Sequence, residues 1–295
     1  MPPSSVLDEA AGERASAGGA GAPAGWRAEL SLEFACRGGR TVLASREHRG
    51  PLVVQRPLYE EGEAVCQVVV VHPPGGIAGG DRLALRARAG EGARALLTMP
   101  GAAKWYRSAG PWATQNAELQ VAPGAVLEWL PQETIVFRGA RAQLHARIEL
   151  TGDALFAGWE VVCFGRTAAG ERFGAGHFGQ ATEVVHEGRM LFGEYAQIEG
   201  GSAVLDSKAG LAGHPVSATM VVAGRDAGRA LLAQLRLVEP APGCLGGVST
   251  LPGVTVARFL GHSAEAARAY FVALWKLARP ALLGREAVPP RIWRC

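Results

Sequence analysis

No stretch of this chain approaches the ~18 to 20 consecutive apolar residues that a membrane-crossing helix needs. Its first residues carry no basic segment followed by an apolar one, so they do not read as a secretory signal. Charge of one sign is missing too. Lys+Arg 30 against Asp+Glu 27 leave a net charge of +3, too balanced for a nucleic-acid or membrane surface. Arginines stand singly along strand-like runs, as on a solvated face. Cysteine is sparse: Cys36, Cys66, Cys163, Cys244 and Cys295 are odd in number, far apart and never arranged C-x-x-C. That disfavours both a disulfide framework and a structural zinc site. Cys66 and Cys163 fall in apolar runs, where a thiol acts as a small core hydrophobe. The expected compartment is the reduced cytoplasm. No histidine pair has zinc-ligand spacing, since His48, His72, His145, His177, His186, His214 and His262 are isolated in sequence.

What is abundant is glycine and proline, 40 and 18 among 295 residues. They punctuate short runs of period two. In "WRAELSLEF", Trp26, Ala28, Leu30, Leu32 and Phe34 alternate with polar residues, the pattern of a half-buried strand. In "AQLHARIEL", Leu144, Ala146, Ile148 and Leu150 face inward, and Gln143, His145, Arg147 and Glu149 face out. Turn signals recur about every ten residues, the rhythm of an all-β stack. Two later stretches have helical period instead. "DAGRALLAQLRLVE" opens on Asp226 as N-cap and carries Leu231, Leu232 and Leu235 on one face. "SAEAARAYFVALWKLARP" begins at Ser263, places Tyr270, Ala273, Leu274 and Leu277 on one stripe, and stops before Pro280. The expected fold is mainly β, an elongated stack of strands with two α-helices in the C-terminal half. Residues 1–25, rich in Ala, Gly, Ser and Pro, bury too little surface to offset their ordering entropy. They are expected to form a disordered tail ahead of one β-rich domain over 26–295.

One segment is unlike the rest. "HPPGGIAGGDRL", His72 to Leu83, ends a strand with two prolines, two glycines, Ile-Ala and two more glycines before Asp81. It is no phosphate-binding loop. Asp81 and Arg82 follow Gly80 where Lys and Ser/Thr are required, and a strand rather than a helix comes next. Pro73 and Pro74 end the strand ladder. Gly75, Gly76, Gly79 and Gly80 permit positive φ and close backbone approach, and Asp81 can bond back to turn amides. "GHSAE" opens a helix and makes no nucleophile elbow. No motif in the chain marks an active site, so no catalytic residue is assigned.

"HPPGGIAGGDRL", "PGAAKWYRS", "LEWLPQETIVFRGA", "GWEVVCFGRTAAGERF" and the terminal "PRIWRC", in that order from about Trp26 to Cys295, closely resemble the urease accessory protein UreD (UreH) family. The resemblance implies a non-enzymatic role. UreD proteins form complexes with UreF and, through it, with the GTPase UreG, and dock on urease apoprotein to deliver nickel. It also implies dimeric assembly through UreF, an internal water-filled tunnel, no tightly bound cofactor and transient Ni²⁺. A carrier must release its cargo. With association near ~10⁷ M⁻¹s⁻¹, a ~1 nM site releases about once per 100 s, but a ~1 μM site about 10 times per second. Single carboxylates and imidazoles suit such exchange.

His72, Asp81, Glu133 and Glu160 are therefore the candidate transit ligands. An internal Glu160 needs a hydrated path or an ordinary ion pair with Arg166 or Arg138. Trp293 and Arg294 are candidate partner anchors, with closure of the core as the alternative for Trp293. Two other readings stay open: an adaptor that joins UreF to urease without touching nickel, and an enzyme using Asp81, Glu133 or Glu160 as acid and base.

Overall fold

The computed structural model describes residues 25–294, so the expected tail lies outside the described residues apart from Gly25. The strands begin with β1 (Arg27–Arg37), β2 (Arg40–Arg49), β3 (Val53–Val54), β4 (Cys66–Val71), β5 (Arg82–Ala89), β6 (Arg94–Thr98), β7 (Ala103–Trp105) and β8 (Ala113–Val121). They continue with β9 (Val126–Leu130), β10 (Thr134–Val136), β11 (Arg141–Leu150), β12 (Leu155–Phe164), β13 (His177–His186), β14 (Arg189–Glu199) and β15 (Val216–Ala223). The helix α1 (Arg229–Arg236), the strands β16 (Leu245–Leu251) and β17 (Val254–Gly261), and the helix α2 (Ala264–Ala278) complete the order.

The strands form two sheets. The first runs β14-β13-β11-β8-β5-β1-β2 and the second β16-β17-β15-β12-β9-β6-β4-β3, with β10 between β12 and β7 beside it. From β4 to β13 the main strands alternate between the two sheets, so the chain winds as a coil and each turn adds one strand to each sheet. Strands from successive turns therefore lie parallel: β5 with β8, β8 with β11, β11 with β13, β4 with β6, β6 with β9. Parallel pairing usually needs a helical crossover. Here the opposite sheet is the crossover. Hairpins close both ends, β1 with β2 and β13 with β14 antiparallel in the first sheet, and β15, β17 and β16 antiparallel in the second.

The pattern of period two places the core. Ala28, Leu30, Leu32 and Phe34 of β1 are buried and face the second sheet, with Val68, Leu97, Leu127, Phe156 and Val162 opposite. Trp26 departs from its expected inward place, lying one residue before β1 and 59% exposed. The other face of the second sheet carries Leu96, Trp159, Val161, Met220 and Phe259, packed under the two helices. The outer face of the first sheet is polar instead. Arg86, Glu118, Arg147 and Glu183 stand side by side in register on four parallel strands. Arg86 pairs with Glu118 at 3.0 Å and Arg147 with Glu183 at 2.9 Å. In-register stacking would repel if one sign repeated, and alternation of sign removes that cost.

Both helices form, with two corrections. Ser263 caps α2 as expected, its Oγ accepting from the Ala266 N–H at 3.0 Å. The buried stripe of α2 is Ala267, Tyr270, Phe271, Leu274, Trp275 and Ala278, rotated from the expected one, and Leu277 sits at its exposed edge. Gly228, not Asp226, caps α1. The Asp226 carboxylate accepts from the Gly253 N–H at 2.6 Å, so it ties the β16–β17 hairpin and starts no helix. Beyond α2, Arg279 is buried against Glu128 and Glu61, with N–O distances of 2.7 and 2.5 Å. This fastens the C-terminal segment to the coil.

Candidate functional site

The glycine segment is where the chain leaves β4 and crosses to β5. Each glycine pair divides its labour. Gly75 and Gly80 have φ of +77° and +98°, which an L side chain adopts only under strain. Gly76 and Gly79 have ordinary φ but no room: a Cβ on Gly76 would enter the Tyr106 ring, and one on Gly79 would meet the Ser108 hydroxyl. The loop thus turns twice and is pressed twice. Its backbone is tied to the next segment, Ile77 N–H to Lys104 carbonyl at 2.7 Å and Tyr106 N–H to Ile77 carbonyl at 2.8 Å. Asp81 closes it. One carboxylate oxygen accepts from the Trp26 N–H and the other from the Ala78 N–H, each at 2.8 Å. Asp81 holds the turn together and joins it to the entry of β1.

Behind the loop lies a cavity of about 130 Å³ between the sheets. His72, Met99, Gln115 and Trp129 contribute to its wall together with Leu83 and Leu85. Burial pushes the His72 imidazole below its ordinary range, and the nearby Asp81 charge opposes this only in part. Its Nε2 is buried without a hydrogen-bond partner among the described residues. A neutral imidazole with an open nitrogen faces a space large enough for several waters.

Glu160 is on β12, on the face that points between the sheets with Phe156 and Val162. Trp129 of the cavity wall stands beside Gly158, two residues earlier on that face. The Thr134 hydroxyl donates to Glu160 Oε1 at 2.7 Å. The ion pair with Arg166 or Arg138 is not formed. Arg166 bonds Glu171 at 2.7 Å, and the Arg138 N–H donates to Glu171 as well. Without a cation, burial pushes the Glu160 carboxyl up to about 7, and the Thr134 bond offsets only part of that. In register beside Glu160 lies Thr219, and beside Thr219 lies Arg258. Arg258 spans the gap to Glu194 of the first sheet at 2.8 Å. A polar row therefore runs from Glu160 out to the exposed Arg258, whose pair with Glu194 joins the two sheets.

Glu133 is elsewhere. Thr134 shares the inter-sheet face of Glu160, so its neighbour Glu133 faces the helix side, 3.5 Å from Arg268 of α2. The adjacent Cys163 thiol is pushed up to about 12 by burial first and the Glu133 charge second, with Arg268 opposing. It stays protonated at neutral pH and is a poor metal ligand. The four carrier candidates thus occupy three places: His72 with Asp81, Glu160 with Thr134, and Glu133 under α2. No three His, Cys, Asp or Glu side chains among the described residues converge as a metal cage. Trp293 is part-buried, its ring against Trp159 and Trp275 and its Nε1–H donating to Thr98 Oγ1 at 2.8 Å. Arg294 remains exposed. Sequence reasoning missed Thr134, Thr219 and the Arg258–Glu194 pair, because a lone threonine or arginine in a strand carries no signal until the sheets are stacked.

The family model described as UreD urease accessory protein matches residues 27–294, from the first strand to the last described residue. The chain belongs to the UreD family. A UreD urease accessory protein of Pseudomonas fluorescens strain Pf-5 is 55% identical over 268 residues, covering 91% of this chain and 95% of that protein. Those of Dechloromonas aromatica and Azoarcus sp. strain BH72 are each 52% identical, covering 91% of this chain and 94% of their own length. The stacked β architecture with two late helices is the fold that the UreD motifs led us to expect. Among the described residues no helix is long and apolar enough to cross a membrane.

Proposed function

We propose that this UreD protein is a non-catalytic urease maturation factor that passes nickel to urease apoprotein through the space between its two sheets. It works in the cytoplasm as a scaffold with UreF and, through UreF, the GTPase UreG, and UreF dimerises the assembly. No cofactor is held tightly, and Ni²⁺ is cargo. The observation that carries this reading is the polar row of Glu160, Thr134 and Thr219 among the mostly apolar side chains between the sheets. A part-buried carboxylate with no cation beside it is costly unless water or a passing cation reaches it. One carboxylate and two hydroxyls bind a divalent ion weakly enough to let it go. His72 and the cavity beside Trp129 extend the same space toward the glycine loop, while Asp81 keeps that loop in place. Glu133, on the helix side and paired with Arg268, lies off this path.

A second reading has its own support. The four carrier candidates do not converge, and Asp81 spends both oxygens on backbone amides, as in an adaptor that joins UreF to urease without touching nickel. The experiment that separates the two combines this protein with UreF and UreG, activates nickel-free urease, and measures complex assembly and urease nickel on the same samples. Delivery predicts that Glu160→Leu preserves assembly and lowers nickel. An adaptor predicts that both are normal.

A further inference from the structure

Two histidines far apart in sequence meet at one corner of the molecule. His214 precedes β15 and His262 follows β17. Antiparallel pairing of Val216 with Gly261 brings the strand ends together. The two rings lie 5.7 Å apart between centroids, with their planes at 38°. His186 Nε2 is 2.7 Å from the Gly152 carbonyl, and His145 Nε2 is 3.9 Å from Glu183. Among the described residues, the ring nitrogens of His214 and His262 have no hydrogen-bond or ion-pair partner. Gly243 lies against the His262 ring. A Cβ at Gly243 would come within 2.9 Å of its Nε2, and Gly243 has φ of +75°, so both space and backbone call for glycine there. Next to Gly243 is Cys244, a free and part-buried thiol whose Sγ packs against Gly261, the residue before His262.

We propose that His214 and His262 form a two-imidazole binding site for a borderline divalent cation of the Ni²⁺ or Zn²⁺ class, with water completing the shell. Imidazole suits these metals. With metal–nitrogen bonds of about 2 Å, one ion can bridge two rings at this separation by small side-chain rotations. Two neutral ligands give weak, exchangeable binding. The Cys244 thiol, packed against Gly261, is a group that could tighten it. The site is separate from the polar row between the sheets and rests on ring geometry alone, so it can fail while delivery through the interior stands, and the reverse.

The test is to titrate the full chain with NiCl₂ and follow its histidine imidazole resonances by NMR, since Ni²⁺ broadens the nuclei nearest to it. The His214 and His262 signals should broaden together, before those of His48 and His177. In His214→Ala the His262 signal should need far more metal. Loss of even an outer-shell partner of a metal ligand costs about 10–100-fold in affinity, and loss of a ligand should cost at least that. His262→Gln should do the same to His214, and ZnCl₂ added first should protect both. Both positions are at least partly exposed, and circular dichroism of each variant checks that the fold is kept. Broadening of His262 that is unchanged in a folded His214→Ala, or independent broadening of the two rings, would overturn the assignment.

Discussion

The two sheets of this protein share a winding rule but not a solvent. The second is apolar on both faces, one against the first sheet and the other under α1 and α2. The first is apolar on its inner face only, and its outer face carries the Arg86–Glu118–Arg147–Glu183 ladder. Parallel sheets are ordinarily covered on both faces. The bare sheet shows what replaces a covering layer: long polar side chains in register, alternating in sign. The covered sheet shows what a covering layer demands, since its outer face must close around Trp159, Trp275 and Trp293 and needs the buried Glu61–Arg279–Glu128 group to fasten the cover.

The largest effect should come from unfastening that cover. Arg279→Met leaves two buried carboxylates without their cation, and loss of one partner of a buried ion pair costs about 3–5 kcal/mol. Urea unfolding should show this loss. A shift of under 1 kcal/mol would mean that the cover does not depend on the clasp.

Next in size is the seam where the chain crosses between the sheets. Gly80→Val puts a β-branched residue at φ of +98°, and such strain costs about 1–3 kcal/mol. Gly76→Val meets the Tyr106 ring and should cost a similar ~1–3 kcal/mol by overpacking. Unchanged thermal stability of either variant would show that the turn is looser than its glycines imply.

The space between the sheets should respond to pH. The folded-state pKa of Glu160 is raised to about 7 by burial, so the folded protein holds a proton that the unfolded chain releases in the ordinary carboxylate range. That difference costs stability as pH rises from that range through about 7. Glu160→Gln keeps an acceptor for Thr134 and removes the titration. The variant should match the parent in acid and exceed it at pH 8 by roughly 1–3 kcal/mol. Equal stability at pH 8 would mean that the carboxylate is already well hydrated.

The bare face should be the most forgiving. Arg147→Ala breaks its pairs with Glu149 and Glu183, and exposed pairs are worth about 0.2–1 kcal/mol. A larger loss, read in the same urea experiment, would show the ladder to be the counterpart of a covering layer in energy as well as in place.

How far the sequence could be read follows the same division. The inward alternation of β1 and β11 was legible because one face is wet, and Ser263 was legible because a cap acts locally. The winding was not. Arg82 stands beside Thr114, Thr114 beside Gln143 and Gln143 beside Gly179, at unequal spacings and with unlike residues, so no repeat shows in the sequence. The glycine loop was legible as a strained turn closed by Asp81, since proline and glycine act on their own backbone. The polar row was half legible. Glu160 stood out in an apolar run, but its partners Thr134 and Thr219 come from other turns of the coil. Glu133 looked equivalent to Glu160 and is not, because it lies one residue before Thr134, the start of β10, and so on the other side.

That offset gives the most direct test of delivery between the sheets. Glu160→Leu and Glu133→Leu can be carried side by side through assembly with UreF and UreG, activation of nickel-free urease, and mass spectrometry of urease nickel. The account predicts that both variants assemble, that Glu160→Leu lowers the nickel content, and that Glu133→Leu leaves it at the parent level. Normal nickel with Glu160→Leu in an intact complex would contradict it.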